Sequence, residues 1–89
     1  MPYMVGKSSG DYELPFGAAL RRVRQAAGLS QETLGLEAGI QRNFISLIET
    51  GQNQPTINTI AKLARALGMK ASDLVIEAER QGTAGSASG

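Results

Sequence analysis

The sequence predicts an all-α domain, a compact five-helix bundle, and three observations predict it. Apolar residues recur three and four positions apart in successive short segments, the period of a helix face. The period-two alternation of a half-buried strand appears nowhere. The first four apolar segments are each followed by a glycine, at Gly28, Gly39, Gly51 and Gly68, the residue that most often closes a helix.

Residues 1–13 include Pro2, Gly6, Ser8, Ser9 and Gly10 without sustained periodicity and read as a flexible arm. Lys7 in that arm reads as a bare tail residue more readily than as a phosphate contact. The folded domain is expected over residues 14–80. Its first helix should open at Pro15, because proline suits the first helical position. Phe16, Leu20, Val23 and Ala27 then share one apolar face, and Gly28 closes the helix. Arg21, Arg22 and Arg24 lie on or near its flanks, as a solvated basic face would.

The second helix should start after Ser30, whose hydroxyl is a good N-cap acceptor, and run through Leu34 to Glu37 or Ala38. Gly35 inside it costs about 1 kcal/mol relative to Ala, which close approach of another backbone would explain. Gly39 suits the positive φ of a sharp turn, with Ile40 plugging the corner. The third helix should run from Gln41 to Glu49, with Phe44, Ile45 and Ile48 as its apolar members and Gly51 as its cap. Gln52 to Pro55 is a polar loop that Pro55 keeps from being helical.

The fourth helix follows Thr56 as N-cap and repeats Ile57, Ile60, Leu63, Ala64 and Leu67 at helical spacing. Gly68 caps it and Met69 folds back onto the core. The fifth starts after Ala71 or Ser72, with Asp73 in the first turn, where the helix dipole favours negative charge. Leu74, Val75 and Ala78 give it an apolar side, which is either the last piece of core or a dimer contact. Residues 81–89, QGTAGSASG, have nothing to bury and read as a disordered tail.

Composition narrows the function classes. The 89 residues contain neither Cys nor His. That removes disulfides, thiolate and imidazole metal sites, and the commonest general base. No convergent acidic pair stands out, and Glu32, Glu37 and Glu49 read as surface carboxylates, so an enzyme is a distant third reading. No catalytic residue, metal site or cofactor is expected. The net charge is only +1, so a nucleic-acid role has to rest on where charges sit rather than on their sum. No apolar run reaches membrane-spanning length, and the first 13 residues lack the apolar core of a signal peptide. The simplest reading is a cytoplasmic protein.

The stretch Ser30 to Gly51 carries the chemistry. Two helices joined by a short turn containing glycine match a helix-turn-helix, whose second helix enters the DNA major groove. That groove, about 12 Å wide, is read by side chains near the N-terminus of the entering helix. Gln41, Arg42 and Asn43 stand there, and all three can make bidentate contacts, Arg to guanine and Gln or Asn to adenine. Ser46 follows one turn later on a compatible face. Gln31 opens the second helix, where a side chain and free N–H groups can hold a phosphate. Against this stands the plainer reading of a small bundle whose polar helix starts are merely caps.

The segment resembles the phage-repressor and Cro-like helix-turn-helix family, also called the xenobiotic-response-element family. The residues that carry the resemblance are Gly28-Leu29-Ser30-Gln31-Glu32, Leu34, Ala38-Gly39-Ile40, Ile45-Ser46, Ile48-Glu49, Gly51, Pro55-Thr56 and Ile60 through Gly68. It extends over residues 16–79. The resemblance implies a lambda-repressor-like bundle with base contacts from Gln41, Arg42, Asn43 and Ser46. It implies DNA-backbone contacts from Gln31, Phe44, Asn53 and Thr56, and an ion pair between Arg24 and Glu49. Two residues depart from the family pattern. Gly35 stands where Ala is usual, which would leave the second helix less rigid. Gln41 stands where Ser or Thr usually caps the reading helix, which would leave its amide for a base or a phosphate.

The resemblance also implies dimerisation, two reading helices lying about 34 Å apart on one face of an inverted-repeat operator. The expected contact is through Leu74, Val75 or Ile76. The expected function is a sequence-specific, double-stranded-DNA-binding transcription regulator without a small-molecule ligand. A phage-type repressor, a controller of a restriction-modification system and an antitoxin that represses its own operon stay open within that class. The runner-up is a protein-interaction module of antitoxin or anti-repressor type that keeps the helix-turn-helix fold without binding DNA.

Overall fold

The computed structural model describes the backbone of residues 14–88 and the side chains of residues 14–82. The expected arm over 1–13, with Lys7, lies outside the described residues. Apolar periodicity becomes five helices: α1 (Phe16–Ala26), α2 (Gln31–Ala38), α3 (Arg42–Glu49), α4 (Ile57–Ala66) and α5 (Ala71–Ser88). No strand occurs among the described residues.

Local chemistry fixes the ends. The Ser30 hydroxyl accepts the Thr33 N–H at 3.0 Å and the Thr56 hydroxyl accepts the Thr59 N–H at 3.1 Å, so both act as N-caps. At the C-termini of α1, α3 and α4 the chain turns back in the same way. Leu29 N–H donates to the Arg24 carbonyl, Gln52 N–H to Leu47, and Met69 N–H to Ala64. Each bond satisfies a carbonyl that the helix itself leaves open. Leu29 and Met69 then pack against the core, as a residue at that position commonly does.

The core takes Phe16, Ala19 and Leu20 from α1, Leu34 from α2, Ile45 and Ile48 from α3, Leu63 and Ala64 from α4, and Leu74 and Ala78 from α5. α1 packs against α3 and α5, α2 against α3 and α4, and α4 against α5. The short α3 is therefore held by α1 on one flank and α2 on the other.

Several expectations change. Ala27 caps α1 rather than lining its face and is exposed; Ala19 takes the buried place. Ile57 is in phase with Ile60 and Leu63 yet is 81% exposed, because it heads α4 before the helix reaches the core. Leu74 is fully buried within the chain, so it belongs to the core and is not available to a second copy. The backbone stays helical to Ser88, where a tail was expected from Gln81. No proline interrupts that stretch, and helix propagation from an already packed turn costs little per residue.

Candidate nucleic-acid interface

The turn between α2 and α3 is made by Gly39, at φ 73° and ψ 33°. This is left-handed backbone that side chains with a Cβ adopt at a cost. The N–H groups of Gly39 and Ile40 both return to the Gly35 carbonyl, the second at 2.9 Å. Gly35 is needed sterically as well. A Cβ there would lie 2.5 Å from the Ile40 carbonyl oxygen, with backbone in the way and no side chain to swing aside. The glycine that costs α2 helix propensity thus permits a turn tight enough to fold α3 back onto α2.

Gln41 occupies the N-cap position of α3 in extended backbone, and its side chain makes no capping bond. Its carbonyl takes the N–H groups of Phe44 and Ile45. Gln41, Arg42 and Asn43 are exposed, while Ile45 and Ile48 are buried on the opposite side. The two faces of α3 therefore separate an anchor from a row of side chains able to donate and accept in a groove. Ser46 is half-buried, one turn further on.

The end of α3 is pinned by charge. The Arg24 Nε donates to Glu49 Oε2 at 2.6 Å and its Nη2 to Oε1 at 3.0 Å. The remaining Nη1 donates to the Leu29 carbonyl at 2.8 Å. Both side chains are largely withdrawn from solvent. The hydrogen bond to Glu49 holds the Arg24 guanidinium above its ordinary pKa; burial pulls the other way, and the Glu49 charge adds to the rise. The surface reading of Arg24 is thus corrected: each of its polar groups has a partner across a helix junction.

Gln31 joins the same network, its Nε2 donating to Glu49 Oε1 at 3.0 Å. One N–H of its amide is thus committed to α3, which leaves the other amide N–H and the first-turn N–H groups of α2 to meet a phosphate. Phe44 differs from expectation more sharply. Its side chain is half-buried against the core and its N–H is bonded to Gln41, so it anchors α3 instead of presenting a donor. Asn53 is half-buried and its N–H returns to Leu47; Thr56 is exposed, with its hydroxyl serving α4.

Two features escaped the sequence reading. One is the Gln31–Glu49 bond, which joins residues on different helices and has no local signature. The other is Gly17, in α1, where a Cβ would collide with the Ile48 carbonyl and lie 2.8 Å from the Glu49 carbonyl oxygen. Gly17 is the second residue of α1, so it lacks the helix-interior signal that Gly35 gives in α2.

The family model for the helix-turn-helix matches residues 20–74. The chain belongs to the helix-turn-helix family. It is 34% identical over 68 residues to control protein C.BamHI of Bacillus amyloliquefaciens, covering 75% of this chain and 84% of that one. The crystal structure of the restriction-modification controller protein C.AhdI from Aeromonas hydrophila matches with a TM-score of 0.66 at 41% identity, over 68% of this chain and 92% of that one. The clp gene regulator ClgR from Corynebacterium glutamicum matches with a TM-score of 0.78 at 27% identity, over 84% and 80% of the two chains. This helix-turn-helix protein is accordingly a DNA-binding transcription regulator with the five-helix fold of repressor and controller domains. No helix among the described residues is long and apolar enough to cross a membrane.

Proposed function

We propose that the protein acts in the cytoplasm as a controller-type transcription regulator, binding an inverted-repeat operator as a homodimer. The observation that carries this reading is the division of α3. Ile45 and Ile48 are buried, and Gln41, Arg42 and Asn43 stand free at the end that enters the groove. Arg42 reads a guanine, Gln41 and Asn43 read adenines or phosphates, and Ser46 adds a shorter contact at the edge of the face. Gln31, Asn53 and Thr56 border the surface from α2 and the loop before α4, where backbone phosphates would run. The controller assignment is supported by the names of the relatives, since C.BamHI and C.AhdI are both control proteins.

Dimerisation is proposed through α5. Val75 is half-buried and Ile76 is 43% exposed, and these two are what remains of the expected contact once Leu74 is assigned to the core. One domain with three or four reading side chains makes too few base contacts for tight specific binding, and pairing doubles them. The test is selection of bound duplexes from a random DNA pool, followed by footprinting. A pseudo-palindrome with half-sites about one helical turn apart is the expected result. A single asymmetric half-site, or binding indifferent to sequence, would refute the operator model.

A further inference from the structure

We propose that Leu47 reads the C5-methyl group of a pyrimidine, as the apolar member of the face that α3 turns to DNA. The proposal rests on the reading of α3 as the groove-entering helix. Three of the four apolar residues of α3 face inward: Ile45 and Ile48 are buried, and Phe44 packs against the core. Leu47 is the fourth, and it is half-buried without packing against that core. The helical period gives its place. Leu47 lies four positions after Asn43, and Ser46 four after Arg42, so these four residues share the outer side of α3. The loop that follows folds back onto the same turn. The Leu47 carbonyl accepts the N–H groups of Gln52 at 2.9 Å and Asn53 at 3.2 Å, and the Thr50 hydroxyl at 3.2 Å.

A leucine side chain has neither donor nor acceptor, so it adds nothing at a phosphate or at the polar part of a base edge. The C5-methyl of thymine is the apolar group that a base pair presents in the major groove. Contact between the two removes apolar surface on both sides from water. Any unmethylated base in that place would leave Leu47 against polar atoms. Arg42 and Asn43 recognise purines by their donors and acceptors; Leu47 adds a preference those side chains do not supply. A cytosine methylated at C5 carries the same group at the same ring position, so the contact accepts it as well. Four helical residues rise about 6 Å, and stacked base pairs are about 3.4 Å apart. The methylated base therefore lies about two pairs from the one that Asn43 meets. Because Leu47 is already half-buried on a turn pinned by the following loop, ordering it costs little on binding.

The experiment uses the full chain and a duplex that it selects from random DNA. Each thymine of the half-site is replaced in turn by deoxyuracil, which lacks only the methyl. Fluorescence anisotropy measures affinity for the wild type, Leu47→Ala and Leu47→Val. The wild type should lose about fourfold per half-site at one thymine, the worth of one buried methyl. Leu47→Ala should bind the selected duplex more weakly by a similar factor and lose nothing further with uracil there. Leu47→Val, shorter by one methylene, should respond less than the wild type, and it serves if the alanine variant fails to fold. With that thymine·adenine pair changed to cytosine·guanine, methylating the cytosine at C5 should restore about fourfold to the wild type alone. A scan in which no thymine responds overturns the proposal. So does a response of wild-type size in the Leu47 variants, or a methylated cytosine that restores nothing. Arg42→Ala on the same duplexes separates these results from the underlying reading. Relaxed base preference in Arg42→Ala beside a flat uracil scan refutes the role of Leu47 and leaves α3 as the reading helix. Wild-type binding indifferent to sequence refutes both.

Discussion

Arg24 in α1 and Glu49 at the end of α3 meet through two parallel hydrogen bonds, 2.6 Å and 3.0 Å long, between largely buried side chains. The third arm of the guanidinium holds the Leu29 carbonyl, at the start of the chain's approach to α2. One side chain thus fixes both the far end of α3 and the entry to the helix before it. A buried pair like this adds little net stability when intact, yet removing one partner strands a charge.

Arg24→Ala should therefore destabilise the fold by about 3 kcal/mol, within the range for breaking a buried pair. Urea denaturation measures it, and a loss below about 1 kcal/mol would show the pair to be solvent-compensated. Replacing both partners with apolar residues should recover most of the loss. The pH dependence has a definite sign. The folded pKa of Arg24 is raised, so its contribution is complete below the ordinary arginine range and fades only as pH rises through the raised value. The difference between wild type and Arg24→Ala should be the same at about pH 6 and about pH 9.

Arg42→Ala should cost about 1–3 kcal/mol in operator binding and relax preference at one base pair. Binding titrations on the selected site and on scrambled DNA distinguish the roles, since an equal loss on both would make Arg42 a phosphate contact. Gln41→Ser should act in two directions. It supplies the side-chain cap that α3 lacks, stabilising the fold by about 0.5–1 kcal/mol, and it removes a reading amide. Unchanged affinity and base preference would refute a reading role for Gln41.

Gly39→Ala should cost about 1–2 kcal/mol by thermal or urea denaturation, from strain alone. Its φ is +73°, but the space around a new Cβ is open. Gly39→Asn should cost less, because Asn tolerates left-handed backbone better than Ala. A loss for Gly39→Asn as large as that for Gly39→Ala would point to a steric rather than a conformational cause.

Two neighbours on α5 should behave oppositely. Ile76→Lys should leave the monomer folded and abolish self-association in analytical ultracentrifugation, with operator affinity falling alongside. Leu74→Ala should instead cost about 2–5 kcal/mol in fold stability, because its side chain is wholly inside. Retained dimers in Ile76→Lys would move the proposed interface elsewhere.

The elements that local chemistry specifies were legible before any coordinates. Ser30 and Thr56 cap as their hydroxyls suggested, Gly39 turns the chain, and Ile45 and Ile48 anchor α3 by spacing alone. Gly35 announced a close approach by its cost, and the Ile40 carbonyl is what approaches. The misses share a cause. Ile57 fits the apolar period of α4, yet periodicity says nothing of where a helix leaves the core. Leu74 and Ile76 are both apolar on α5, and their contrast depends on which side α1 and α4 cover. Phe44 and Gln31 find partners, the core and Glu49, that are distant in sequence and leave no local mark.

What resides in the sequence is the set of conditions that each segment satisfies within its own few residues. A helix period, a capping hydroxyl and a glycine that accepts positive φ are properties of neighbours along the chain, and they specify five helices and a tight turn. The family resemblance added which helix is expected to read. Folding in three dimensions allocated the polar groups. Arg24, Glu49 and Gln31, from three helices, spend their hydrogen bonds on one another, because a buried donor or acceptor without a partner is costly. Gln41, Arg42 and Asn43 stay exposed because Ile45 and Ile48 bury the other side of the same short rod.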